Sequence, residues 1–271
     1  MLLPEPLIIF IPYWNLIFFV LGVPFVLWLN NKTRNDFLCL GLGIAYMILY
    51  GFIIEPTWDE WLFFFYGLVV GYVTDFIGVI SNKWKYHPWD PEFGYSYYVG
   101  FAWGMVTIFT YNISKTINAS AKTFFLPEII FLIPTVLLEW RFGETRRNQY
   151  FLFARAFFTF LAFYNNPGLL FIACFVGSYI EFAGVNWIKN WLYIDSMSYI
   201  FLSFGYSLVV LCGKLIADFV AGIAIEPFVL IFVGLAIFFY FIDTFYYQKR
   251  IETDKKKAVI AAEEYYKNKK E

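Results

Sequence analysis

Charged residues in this chain sit in short clusters, and the stretches between them are apolar runs of about 17 to 24 residues, the length at which a helix crosses the hydrocarbon core of a bilayer. The runs fall at 6–29, 37–54, 61–80, 95–111, 124–140, 151–164, 168–187, 199–222 and 227–247. They predict an all-α fold: a polytopic integral membrane bundle of about nine transmembrane helices over residues 1–248, followed by a polar tail over 249–271. Composition supports this, because 61% hydrophobic and 24% aromatic residues against 15% charged leave too little polar surface for a chain facing water. Residues 6–29 have no basic region before them and no small-residue cleavage site after them, so they read as a retained span and not as a signal peptide.

The loops differ in charge. Lys32, Arg34, Lys83, Lys85, Arg141, Arg146, Arg147, Lys189, Lys249 and Arg250 fall on one side of the predicted membrane, whereas the other side carries Lys115, Lys122 and the acidic turn Glu55-Pro56-Thr57-Trp58-Asp59-Glu60. By the positive-inside rule this predicts a cell-membrane protein with its N-terminus outside and its C-terminus cytoplasmic. Two Asn-X-Ser triplets, starting at Asn112 and Asn118, are then expected in an outside loop. The tail, with Lys255-Lys256-Lys257 and Glu263-Glu264, reads as a solvated helix or a frayed end, or as a contact with anionic headgroups or a partner subunit.

An internal repeat is readable when 70–86 is set beside 176–193. Val70-Gly71, Asp75-Phe76, Gly78-Val79 and Trp84-Lys85-Tyr86 match Val176-Gly177, Glu181-Phe182, Gly184-Val185 and Trp191-Leu192-Tyr193, with one extra residue before the last element of the second copy and a weaker echo from Phe101 to Phe204. Both copies, at about 37–111 and 151–222, run in the same direction, which makes the repeat a parallel one about an axis along the membrane normal.

The repeat places Asp75 and Glu181 at matching depth inside a span, where a carboxylate is expensive and marks a candidate site by default. Two roles are open. The acids are catalytic candidates, serving as general acid or base; alternatively each is structural, accepting hydrogen bonds from a nearby Trp, Tyr or amide. Trp84, Tyr86, Trp191 and Tyr193 are expected either to anchor at the interface or to line a ligand site whose ring faces would stabilise a cation. Arg155, near the inner end of its span, is expected to pair with Glu181 or Asp75 and to join the ligand site. Lys214 and Asp218, four apart on one helix, are expected to pair with each other, and Glu128 and Asp243 are both read as structurally paired, with Asp243 near enough to the inner surface to be hydrated. The single histidine, His87, excludes a metal site built of several imidazoles, and Cys39, Cys174 and Cys212 lack metal or redox spacing and read as small hydrophobes. No metal and no cofactor is expected. A net charge of −1 and the lack of a basic, aromatic-laced run argue against nucleic acid as a partner.

Asp75, Trp84-Lys85-Tyr86-His87-Pro88 and Gly94 together resemble the pattern of the membrane-integral lycopene cyclases, and that family is similar in carrying two copies of a three-helix unit joined by an extra helix. The resemblance implies the same fold and a long apolar ligand of isoprenoid type, with carotenoid or isoprenoid modification as the activity. The family's Pro-X-Glu-Glu signature in the next helix is missing, since neither 95–103 nor 199–206 contains a carboxylate or a proline. The expectation is therefore a membrane protein with a lipid-accessible pocket for an isoprenoid or other long apolar molecule. Two alternatives stand beside it: a non-catalytic subunit of a larger membrane protein assembly, or a transporter that uses the paired acids.

Overall fold

The structure, a computed structural model, describes residues 16, 18–81, 83–87, 94–117, 149–163, 166–193 and 199–268. A π-helical turn, Phe18–Gly22, leads into α1 (Val23–Thr33), and then come α2 (Asp36–Ile54), α3 (Trp58–Ile80), the short strand β1 (Trp84–Tyr86) and α4 (Val99–Ile117). The second half has α5 (Gln149–Ala162), α6 (Pro167–Glu181), a second π-helical turn (Phe182–Trp187), β2 (Trp191–Tyr193), α7 (Tyr199–Val220) and α8 (Pro227–Asn268). Helix starts follow local chemistry. Asn35 accepts from the Leu38 N–H at 3.0 Å to cap α2, Glu60 reaches back to the Thr57 N–H at 2.8 Å to close the first turn of α3, and Pro167 opens α6, where its missing N–H is no loss.

Among the described residues, four helical stretches are long and apolar enough to cross a membrane: Asp36–Ile54, Trp58–Ile80, Gly168–Trp187 and Pro227–Arg250. They present Phe37, Phe52, Val69, Phe76 and Phe245 on the outside, an outward apolar surface suited to lipid and not to water. The predicted span 124–140, most of the first half of 6–29, Glu128 and Asn118 lie outside the described residues. The other triplet is a correction: Asn112 sits within α4, buried, with its amide bonded to the Tyr50 hydroxyl, because α4 continues past the predicted end of its span at 111. Asp243 is a second correction, being fully buried at 0% exposure instead of hydrated. Lys214 and Asp218 pair as expected, Nζ to Oδ2 at 2.6 Å. The first part of the tail continues α8 without a break, giving a helix of 42 residues, about 63 Å long.

Packing is reciprocal between the halves. α3 lies along α4 and α6 along α7, while across the middle α3 meets α7 and α4 meets α6. α2 flanks α4 and α5 flanks α7, and α8 covers α5. The two strands pair antiparallel at the centre, Trp84 opposite Tyr193, Lys85 opposite Leu192 and Tyr86 opposite Trp191. Backbone that is not helical must find partners away from water. Here the Tyr86 N–H donates to the Gly94 carbonyl at 3.1 Å and the His87 N–H to the Asn190 carbonyl at 3.2 Å.

Candidate functional site

Asp75 comes from the last turns of α3 and is 4% exposed. Its Oδ1 accepts from Trp84 Nε1 at 3.1 Å and from the Tyr86 hydroxyl at 2.5 Å, and its Oδ2 accepts from Trp103 Nε1. Glu181, at the end of α6 and 3% exposed, accepts on Oε2 from Trp191 Nε1 at 3.1 Å and on Oε1 from the Tyr206 hydroxyl at 2.9 Å. Both acids thus accept from ring donors, and the Trp-X-Tyr rings described here turn toward them. The physical reason is the strand pair: the chain folds back after each helix, so β1 and β2 carry their rings under the helix ends.

Glycines make room for this. A methyl group on Gly78 would lie 1.9 Å from the Trp84 ring, and one on Gly184 would lie 1.9 Å from the Trp191 ring. The extra residue before Trp191 is taken up by the π-helical turn Phe182–Trp187, since a π turn holds one residue more than an α turn. Accordingly the Lys83 N–H reaches back to the Gly78 carbonyl at 2.9 Å, and the Asn190 N–H reaches one residue further, to Gly184, at 2.7 Å. The Trp–carboxylate distance is 3.1 Å in both places.

The two acids are linked through their donors. Trp103 stacks on Tyr206 with centroids 4.4 Å apart, and Tyr86 meets Trp191 at 5.8 Å. These four rings form one end of a cavity of about 470 Å³ whose other walls come from α1, α2 and α4, including Val26, Cys39, Gly43, Tyr46, Phe101 and Phe109. That volume falls within the range of small-molecule sites. Phe25 and Leu49 also line it and are 55% and 50% exposed, so the cavity opens sideways between helices. Asp75 and Glu181 lie behind the rings and do not line it.

Of the residues expected to bind ligand, Tyr86 and Trp191 line the cavity, Trp84 braces Asp75, and the Tyr193 side chain lies outside the described residues. Arg155 does not line the cavity: buried on α5, its guanidinium lies 5.7 Å from the centre of the Tyr240 ring on α8, the ring that Lys83 Nζ also approaches at 5.2 Å while donating to Thr244 at 2.7 Å.

Several residues of the site are not among the sequence-based candidates. Trp103 and Tyr206 stand at corresponding places in the Phe101 and Phe204 echo, which is the signal that marks them. Asp36 had no such signal. It accepts from Asn30 at 2.8 Å, Ser96 at 2.9 Å and the Tyr97 N–H at 2.8 Å, with His87 Nε2 at 3.0 Å, and so ties α2 to the loops after β1 and before α4. Among the described residues no group of three His, Cys, Asp or Glu side chains is placed to hold a metal ion. Comparison with protein-family models, curated proteins and solved structures finds no match to this chain.

Proposed function

We propose that the chain is a multi-pass cell-membrane protein of about nine spans, N-terminus outside and C-terminus cytoplasmic, that binds a long neutral molecule of isoprenoid type in the cavity between α1, α2 and α4. The observation that carries this reading is the cavity itself: apolar and aromatic walls, a side opening flanked by exposed apolar residues, and an end formed by Tyr86, Trp103, Trp191 and Tyr206. A lipid-soluble ligand would enter laterally, where no polar group has to be stripped of water. The tandem repeat belongs to the same reading. Its support is the double occurrence of one contact set: carboxylate, Trp donor, glycine beneath that Trp, and a second ring donor from the next helix. The resemblance to the membrane-integral lycopene cyclases points to the same ligand class.

A modifying activity is the second reading, favoured by two phenols. Tyr86 and Tyr206 each line the cavity while donating to a carboxylate, so each could pass a proton between acid and ligand. Asp75 and Glu181 would then act through the tyrosines and not by touching substrate.

The binding reading is tested by extracting the purified protein with organic solvent and identifying neutral isoprenoids by mass spectrometry. Wild type should carry one enriched over bulk lipid, and Ala102→Trp, which fills the cavity from α4, should carry none while melting at a similar temperature. Equal content in the two proteins overturns the assignment. For the second reading, Tyr86→Phe and Tyr206→Phe should retain ligand yet lose its conversion; unchanged conversion removes the phenols from the chemistry.

A further inference from the structure

One wall of the cavity is not apolar. Tyr98, immediately before α4, lines it and is buried. Its hydroxyl accepts from Asn190 Nδ2 at 2.6 Å, and among the described residues it donates to nothing. Asn190 is fully buried, held by its backbone N–H on Gly184 and its carbonyl on the His87 N–H, and its Oδ1 has no hydrogen-bond partner among the described residues. A buried phenol with an unspent proton beside a buried amide with an unspent oxygen is unusual, because such groups cost free energy when left unmade. Turning the amide over does not remove the surplus. Tyr98 would then donate to the Asn190 oxygen, and the amide N–H groups would be the unspent donors.

We propose that the cavity recognises an oxygen on its ligand, a neutral hydroxyl or carbonyl at one end of an isoprenoid chain, through the Tyr98 hydroxyl, which Asn190 holds from behind the cavity wall. With Asn190 donating to Tyr98, the phenol keeps its own proton for a ligand oxygen, and the Asn190 bond polarises the phenol and strengthens it as a donor. A pure hydrocarbon would leave that donor unspent, and a charged headgroup would bring a charge into a cavity that no ionic side chain lines. This inference rests on the cavity being the isoprenoid site and adds the ligand's polar end to it.

The test compares two C15 isoprenoids of one skeleton, farnesol and farnesene, bound to the full-length protein in nanodiscs and read by quenching of tryptophan fluorescence. Trp103 and Trp191, in the cavity wall, supply the signal. Wild type should prefer farnesol by about tenfold after each ligand's partition into protein-free nanodiscs is subtracted, the worth of one good hydrogen bond. The double variant Tyr98→Phe/Asn190→Leu should lose that preference and keep its farnesene affinity and melting temperature, and Tyr98→Phe alone should lose the preference to the same extent. Equal binding of both compounds to wild type overturns oxygen recognition while leaving an apolar site intact. A farnesol preference that survives in the double variant overturns the assignment to this pair. Binding of neither compound overturns the isoprenoid site together with this inference.

Discussion

Among the described residues, Asp75 gathers three donors on two oxygens, while Glu181 takes one ring donor on each. The difference decides how each tolerates an amide. Asn at 75 must turn its NH2 toward either the Trp103 N–H or the Trp84 and Tyr86 donors, and an indole N–H cannot accept. Gln at 181 can keep its oxygen on Trp191 and let its NH2 donate to Tyr206, whose hydroxyl rotates to accept. Asp75→Asn should therefore cost about 1–3 kcal/mol, and Glu181→Gln clearly less. Melting in detergent checks this, and equal or reversed losses would mean that the acids are held by something other than these donors. Both acids were conspicuous in the sequence, each a carboxylate inside an apolar run, and both are buried. That they stand behind the cavity wall was not legible, because the reach of Trp103 and Tyr206 from the following helices depends on how those helices pack.

At the scale of elements, the one-residue offset between the two Trp-X-Tyr segments becomes a π-helical turn, and the turn preserves the ring-to-acid contact. Removing Trp187, an exposed residue of that turn, should let the segment close as an α turn of the kind found at the end of α3. Deleting Val79 from α3 has no such slack to draw on: it shortens the path from Asp75 to Trp84 by one residue just before the helix ends at Ile80. The Trp187 deletion should lower the melting temperature by less than the Val79 deletion; an equal or greater loss would show that the π turn does not serve as a spacer. The offset itself is visible in the sequence. Its structural form is not, since an extra residue can equally be absorbed in a loop.

For the whole molecule, the charge asymmetry of the loops and the apolar outer faces of α2, α3 and α8 lead to one orientation test. A cysteine replacing Thr57, in the acidic turn between α2 and α3, should react with a membrane-impermeant maleimide in intact cells. One replacing Lys189, between the π turn and β2, should react only after the cells are opened. The native cysteines interfere little, since Cys39 and Cys174 are buried and Cys212 is partly so. The reverse pattern would invert the topology and place the acidic turns inside.

By itself the sequence determined the solvent of this protein and its helical character: a run of about 20 apolar residues leaves a backbone in lipid no alternative but to satisfy its own hydrogen bonds. It also marked Asp75, Glu181, Tyr86 and Trp191, because polar or amphipathic residues stand out against such a background. Only the tertiary structure decided which rings meet which acid, that β1 and β2 pair across the middle, that Arg155 lies against Tyr240, and that Asn190 bonds the hydroxyl of Tyr98, a residue of the cavity wall. The Tyr98–Asn190 contact joins residues 92 positions apart. Local pattern reports which face of a helix is apolar, whereas pairing between distant segments follows from the packing of helix on helix, where a glycine under a tryptophan or one residue of offset selects the partner.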